Sequence, residues 1–187
     1  MCPALIQLGI TIRHKKPESV LITGNRGHFR AGPVALHTGL SGTAAGFLFA
    51  LALLRRDKTA INGLPPLRLR PNQHLVEVLL GLGASVCSTE DGYLPILIRG
   101  PEVVKASISL KSDWSSQYLS TLLLVRALLP NCVEVFVKGE LVSRRCVDVT
   151  LREMLRFGVS VEREDYRRFC VNRQVYNPAI IQIKGDP

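Results

Sequence analysis

One phrase occurs three times in this chain, and its spacing limits the fold more than any other feature. Ala4-Leu5-Ile6-Gln7-Leu8-Gly9-Ile10-Thr11-Ile12 returns as Val78-Leu79-Leu80-Gly81-Leu82-Gly83-Ala84-Ser85-Val86. It returns again as Glu153-Met154-Leu155-Arg156-Phe157-Gly158-Val159-Ser160-Val161. Gly9, Gly83 and Gly158 stand 74 and then 75 residues apart. Each phrase reads as the end of an apolar helix, a glycine able to take the left-handed conformation that stops a helix, and a short β-branched strand. A second apolar strand follows at a similar interval: Val20-Leu21-Ile22, Leu94-Pro95-Ile96-Leu97-Ile98 and Phe169-Cys170-Val171. A period near 75 residues is too long for the common helical and leucine-rich solenoids, so the repeat is a larger supersecondary unit.

Two units can be laid side by side in full. In the first, Pro33-Val34-Ala35-Leu36 reads as a strand and Ser41-Gly42-Thr43 opens an apolar helix running to Arg55. A short strand follows around Thr59-Ala60-Ile61, then a helix from about Pro71 to Gly81. In the second, strand Ala106–Leu110 precedes Ser115-Ser116-Gln117, which open an apolar helix to Leu129. Strand Val133–Val137 and a helix from near Cys146 to Phe157 complete it. The order is β-α-β-α-β-β, twice. Before Gly9 only the tail of a second helix is present, and Ile180–Asp186 reads as the opening strand of a further unit. Residues 1–187 are therefore expected to form one α/β lobe, a segment of a longer repeat protein.

Composition narrows the function. With 47% hydrophobic and 21% charged residues, this is a folded globular chain. Its net charge of +9 suits an anionic partner or simply a solvated basic surface. Aromatics are only 6%, with no dense basic run among them, which argues against nucleic acid. The longest apolar run, Gly46–Leu54, is far short of the roughly 20 residues a membrane helix needs, so no membrane partner is expected. Cys2, Cys87, Cys132, Cys146 and Cys170 are odd in number, scattered and never in a C-x-x-C pair, which suits reduced thiols in a cytoplasmic protein. His14, His28, His37 and His74 show no metal-ligand spacing. No metal and no cofactor are expected.

The chemically interesting places are the starts of the two apolar helices. Backbone N–H groups, hydroxyls and the positive dipole end make Ser41-Gly42-Thr43 and Ser115-Ser116-Gln117 suited to a phosphate or carboxylate. The plainer reading is an N-cap, which uses the same residues. Arg70 precedes Pro71, placed to preset a helix start, and would set a planar fork beside that helix mouth. Ser143-Arg144-Arg145 holds the corresponding place in the last unit, so Arg68, Arg70, Arg144 and Arg145 would make a basic rim. Asp113 and Asp148 lie near these places but make no convincing acid–base pair.

These residues resemble a known family. Leu40-Ser41-Gly42-Thr43-Ala44-Ala45-Gly46-Phe47-Leu48 resembles the Asn-Ala-Gly-Thr-x-x-Arg-Phe-Leu segment of the enolpyruvyl transferases. Arg70-Pro71-Asn72-Gln73-His74-Leu75 resembles that family's Arg-Pro-x-x-x-Leu helix start. Ser115-Ser116-Gln117-Tyr118-Leu119-Ser120 with Leu122-Leu123, and Gly139–Ser143 with Val147–Thr150, resemble motifs of its shikimate-pathway branch. Lys184-Gly185-Asp186 resembles the Glu-Gly-Asp that leads to the other domain. The matches run in order from about Leu8 to Asp186.

The resemblance implies a two-lobed fold of β-α-β-α-β-β units, with inner helices buried and sheets outside. It implies transfer of an enolpyruvyl group from phosphoenolpyruvate to shikimate 3-phosphate in aromatic amino-acid biosynthesis. Ser115, Ser116, Gln117 and Ser143 would hold shikimate 3-phosphate; Gly42, Arg70 and Gln117 would meet phosphoenolpyruvate. The chain departs from the family at several points. The opening Gly-Ser-Lys-Ser segment and the second lobe, with its catalytic residues, have no counterpart, so no catalytic residue is assigned and the chain alone is expected to be incompetent. Gly46 stands where arginine is usual, and Cys146 where a substrate-stacking tyrosine is usual. A non-catalytic anion-binding or regulatory module is the alternative.

Overall fold

A computed structural model describes residues 1–16, 18–89, 91–111, 116–129 and 133–183. The first elements are α1 (Cys2–Gln7), β1 (Thr11–Lys16) and β2 (Ser19–Thr23). The middle unit holds β3 (Val34–His37), α2 (Gly42–Ala52), β4 (Thr59–Asn62), α3 (Pro65–Arg68), α4 (Gln73–Gly81), β5 (Ser85–Cys87) and β6 (Ile96–Arg99). The last unit holds β7 (Ser107–Lys111), α5 (Ser116–Arg126), β8 (Val133–Lys138), α6 (Arg144–Arg156), β9 (Glu162–Glu164) and β10 (Arg168–Val171).

The two full units share one topology. In one sheet the order is β3-β4-β6-β5, in the other β7-β8-β10-β9. In each, the first pair is parallel and joined through an apolar helix, α2 or α5, and the other two pairings are antiparallel. The three phrase glycines perform the same act. Gly9, Gly83 and Gly158 have φ of 94°, 95° and 80°. Each donates its N–H three residues back, to Ile6, Leu80 and Leu155, while the next residue donates five back, to Leu5, Leu79 and Met154. This is the paired bond of a Schellman stop.

Helices α2 and α5 carry the core. Most residues of each are buried, as expected of helices apolar all round, and they pack against one another. Helix α6 is the opposite case, amphipathic, with Val147 and Met154 buried.

Several expected boundaries move. α2 ends at Ala52 rather than Arg55, and α5 at Arg126 rather than Leu129. Leu53 and Leu129 are buried although they lie beyond the helices, so apolar character there records packing rather than helix. α4 begins at Gln73 with Asn72 as its N-cap, leaving Pro71 outside it, and an unforeseen helical turn, α3, holds Pro65 and Pro66. α6 begins at Arg144, ahead of Cys146. Residues 172–183 contain no strand; Ile180 and Ile183 are exposed, and Lys184–Asp186 lie outside the described residues.

The first hairpin differs from its two counterparts. β1 and β2 pair antiparallel, with Ile12 opposite Ile22, as Val86 stands opposite Ile98 in the middle unit. Ile98 is 0% exposed, whereas Ile22 is 57% exposed, and every residue of β2 is exposed. β6 and β10 each have a second strand neighbour, β4 and β8; β2 pairs only with β1 among the described residues.

Candidate functional site

The mouth of α2 is braced before it offers anything to a ligand. Thr38 donates its backbone N–H and its hydroxyl to the Asn62 carbonyl at 2.9 and 3.1 Å, and Leu64 N–H donates to the Gly39 carbonyl at 2.9 Å. These bonds tie the approach to α2 against the end of β4. Ser41 then caps the helix, its hydroxyl accepting from Ala44 N–H at 3.1 Å. Ser41 thus acts as an N-cap, as the plainer reading has it.

The turn α3 and the segment after it bring Arg70 to that mouth. A Cβ placed on Gly42 would lie 3.7 Å from the Leu67 side chain and 3.9 Å from an Arg70 guanidinium nitrogen. Arg70 is exposed and makes no ion pair among the described residues. Arg68 does not join it, because its Nε donates to Asn62 Oδ1 and the Gly63 carbonyl, both at 3.0 Å.

The start of α5 meets α2 one turn below this mouth. Gln117 stands over Gly46, its Nε2 3.3 Å from where a Cβ of residue 46 would be. Ser116 is buried, and so is Ser120 one turn on along the same stripe, whose hydroxyl has no hydrogen-bond partner among the described residues. The structure thus brings Gly42, Arg70 and Gln117 to the first turns of two packed helices, with Ser116 beside Gln117 in sequence. Ser115 and Asp113 lie outside the described residues. The Arg70 cation beside the α2 N-terminus and the Gln117 amide one turn on favour an anion. Ser120 stands within the Ser115–Leu123 motif, and neither its burial nor the approach of Gln117 to Gly46 is marked by any local pattern.

Ser143 heads α6, which packs against α5. Its hydroxyl lies 3.4 Å from Cys146 Sγ and makes no capping bond. The adjoining cleft, about 660 Å³, is lined by the end of β8, Glu140, Leu141, Arg144 and the β9–β10 turn. Arg144 and Arg163 each lie 5.1 Å from the centre of the Tyr166 ring, and Tyr166 donates its hydroxyl to Asp148 at 2.8 Å. That hydrogen bond first, and the Arg163 guanidinium after it, hold the Asp148 carboxyl below its usual range. A carboxyl held this way is ionised at neutral pH and a poor general acid. Arg144 is therefore occupied on an aromatic face rather than standing in an open basic rim.

Comparison with known proteins agrees with this architecture. The family model described as EPSP synthase (3-phosphoshikimate 1-carboxyvinyltransferase) matches residues 1–187. A 3-phosphoshikimate 1-carboxyvinyltransferase of Paraburkholderia phytofirmans is 34% identical over all of this chain and 44% of its own length. One from a Shewanella species is 35% identical over all of this chain and 45% of its own. The chain thus spans less than half the length of these curated relatives. A solved EPSP synthase of Acinetobacter baumannii superposes with a TM-score of 0.78 over 94% of this chain and 39% of that one, at 23% identity, which is a likeness of fold.

Proposed function

The chain belongs to the EPSP synthase family, and from that premise we propose that it is the substrate-holding lobe of a cytoplasmic 3-phosphoshikimate 1-carboxyvinyltransferase. Residues 1–187 act as one lobe. Its substrates are the two anions shikimate 3-phosphate and phosphoenolpyruvate, and a complementary second lobe completes the site. The observation that carries the reading is the approach of Arg70 to Gly42 and of Gln117 to Gly46 on the same helix. Ser115, Ser116, Gln117 and Ser143 hold shikimate 3-phosphate through hydroxyl and amide hydrogen bonds. Gly42 lets phosphoenolpyruvate approach the backbone of α2, Arg70 clamps it as a planar fork, and Gln117 serves both substrates.

Turnover needs more than this. A proton must reach the methylene of phosphoenolpyruvate while another leaves the attacking hydroxyl, and a proton must then leave the resulting methyl group as phosphate is eliminated. Groups able to do so must sit within hydrogen-bond reach, directly or through one water, and neither helix mouth supplies a pair among the described residues. Equal binding of ground and transition states does not raise a turnover rate. With both substrates, the purified chain is expected to release no phosphate above an Arg70→Ala control. Mixing it with the portion of the Paraburkholderia relative that it does not match is expected to start release. Steady release by the chain alone would contradict the division of labour. Binding without release in the mixture would favour the second reading, a non-catalytic anion-binding module, to which Gly46 and Cys146 point.

A further inference from the structure

Glycine is a poor helix former, yet Gly46 sits buried in the interior of α2. Its surroundings supply a reason. A Cβ at this position would stand 3.3 Å from Gln117 Nε2, and 3.9 Å from both Gln117 Cδ and Thr121 Oγ1. The first distance is tighter than ordinary van der Waals contact, so something would have to yield. The neighbour that yields most easily is the end of the Gln117 side chain. Within α5, Thr121 donates its hydroxyl back to the Gln117 carbonyl at 2.7 Å, one turn along the helix.

We infer that Gly46 is a positioning residue, its absent side chain forming the seat on which the Gln117 amide rests. A methyl group there moves the amide by a few tenths of an ångström and leaves the fold intact, since alanine favours the helix that glycine weakens. The seat concerns the ligand-free protein. Its consequence for substrate rests on the reading given above, in which Gln117 meets shikimate 3-phosphate.

The test compares wild type with Gly46→Ala, Gln117→Ala and the double variant. The side-chain NH₂ resonances of Gln117, assigned by their loss in Gln117→Ala, are expected to shift in Gly46→Ala, with the thermal midpoint unchanged or raised. Shikimate 3-phosphate affinity is expected to fall about three- to tenfold in Gly46→Ala. No further fall is expected when Gly46→Ala is added to Gln117→Ala. Unmoved Gln117 resonances overturn the inference. So does a lowered midpoint with unmoved resonances, which would make Gly46 a helix-packing residue only. If Gln117→Ala leaves affinity unchanged, the substrate reading fails, while the resonances still decide the seat.

Discussion

Asp148 shows how one residue couples charge to stability here. It accepts from Tyr166 and from Arg163, the latter at 3.1 Å, and its carboxyl is held below its usual range. A carboxyl whose folded-state pKa is depressed contributes stability that is complete above its unfolded value, about 4, and is lost as pH falls through the folded value. The stability gap between wild type and Asp148→Asn in urea is therefore expected at pH 7 and should close on acidification below about 4. A gap that widens in acid would contradict this assignment. Other residue-scale constraints are steric. A Cβ on Gly100 would meet the Leu53 and Arg55 carbonyls, and Gly100 N–H donates to the latter at 2.7 Å. Nothing around Gly100 or Gly46 in the sequence announces this, because the atoms that forbid a side chain arrive from distant segments. Gly9, Gly83 and Gly158 were legible because the same local act is written three times.

At the scale of elements, the repeat unit could be read because helix stops and strand alternation are local, whereas the ends of α2 and α5 could not. Leu53 and Leu129 continue an apolar run beyond the last helical turn, and burial rather than helix formation keeps them apolar. The double proline at Pro65-Pro66 signals a helix start, and α3 uses it, while α4 starts at Gln73 behind the N-cap Asn72. The strand expected around Ile180 does not form among the described residues. The segment before it is fastened instead by Tyr176, whose hydroxyl donates to the Leu124 carbonyl at 2.7 Å, and by Asn177 N–H to the Phe157 carbonyl at 2.7 Å. Capping tests the element scale directly. Ser41→Ala removes the acceptor for Ala44 N–H and is expected to cost about 1 kcal/mol in chemical denaturation. No loss would mean that the α2 mouth is held by its Thr38 and Gly39 bonds alone.

For the whole molecule, the uneven cover of three equivalent hairpins is the main fact. β6 and β10 are flanked on both sides and largely buried, while β2 exposes Val20, Leu21 and Ile22. A two-stranded hairpin is marginal in water, and β2 has no second strand neighbour among the described residues, so Ile12 and Ile22 amides are expected to exchange with deuterium much faster than those of Ile61 and Ile98. Comparable protection would show that the hairpin is stable without a covering layer. The candidate site was legible mainly through its motifs, which named Gly42, Arg70, Ser116 and Gln117. That α2 and α5 touch at Gly46 and Gln117 follows from packing that no local pattern encodes. The most direct measurement is a calorimetric titration of shikimate 3-phosphate into wild type, Ser116→Ala and Gln117→Ala. Weak binding is expected for wild type, reduced roughly tenfold or more in each variant, as befits the loss of a hydrogen bond to a charged group. Equal heats and affinities for all three proteins would contradict the placement of the substrate at these helix mouths.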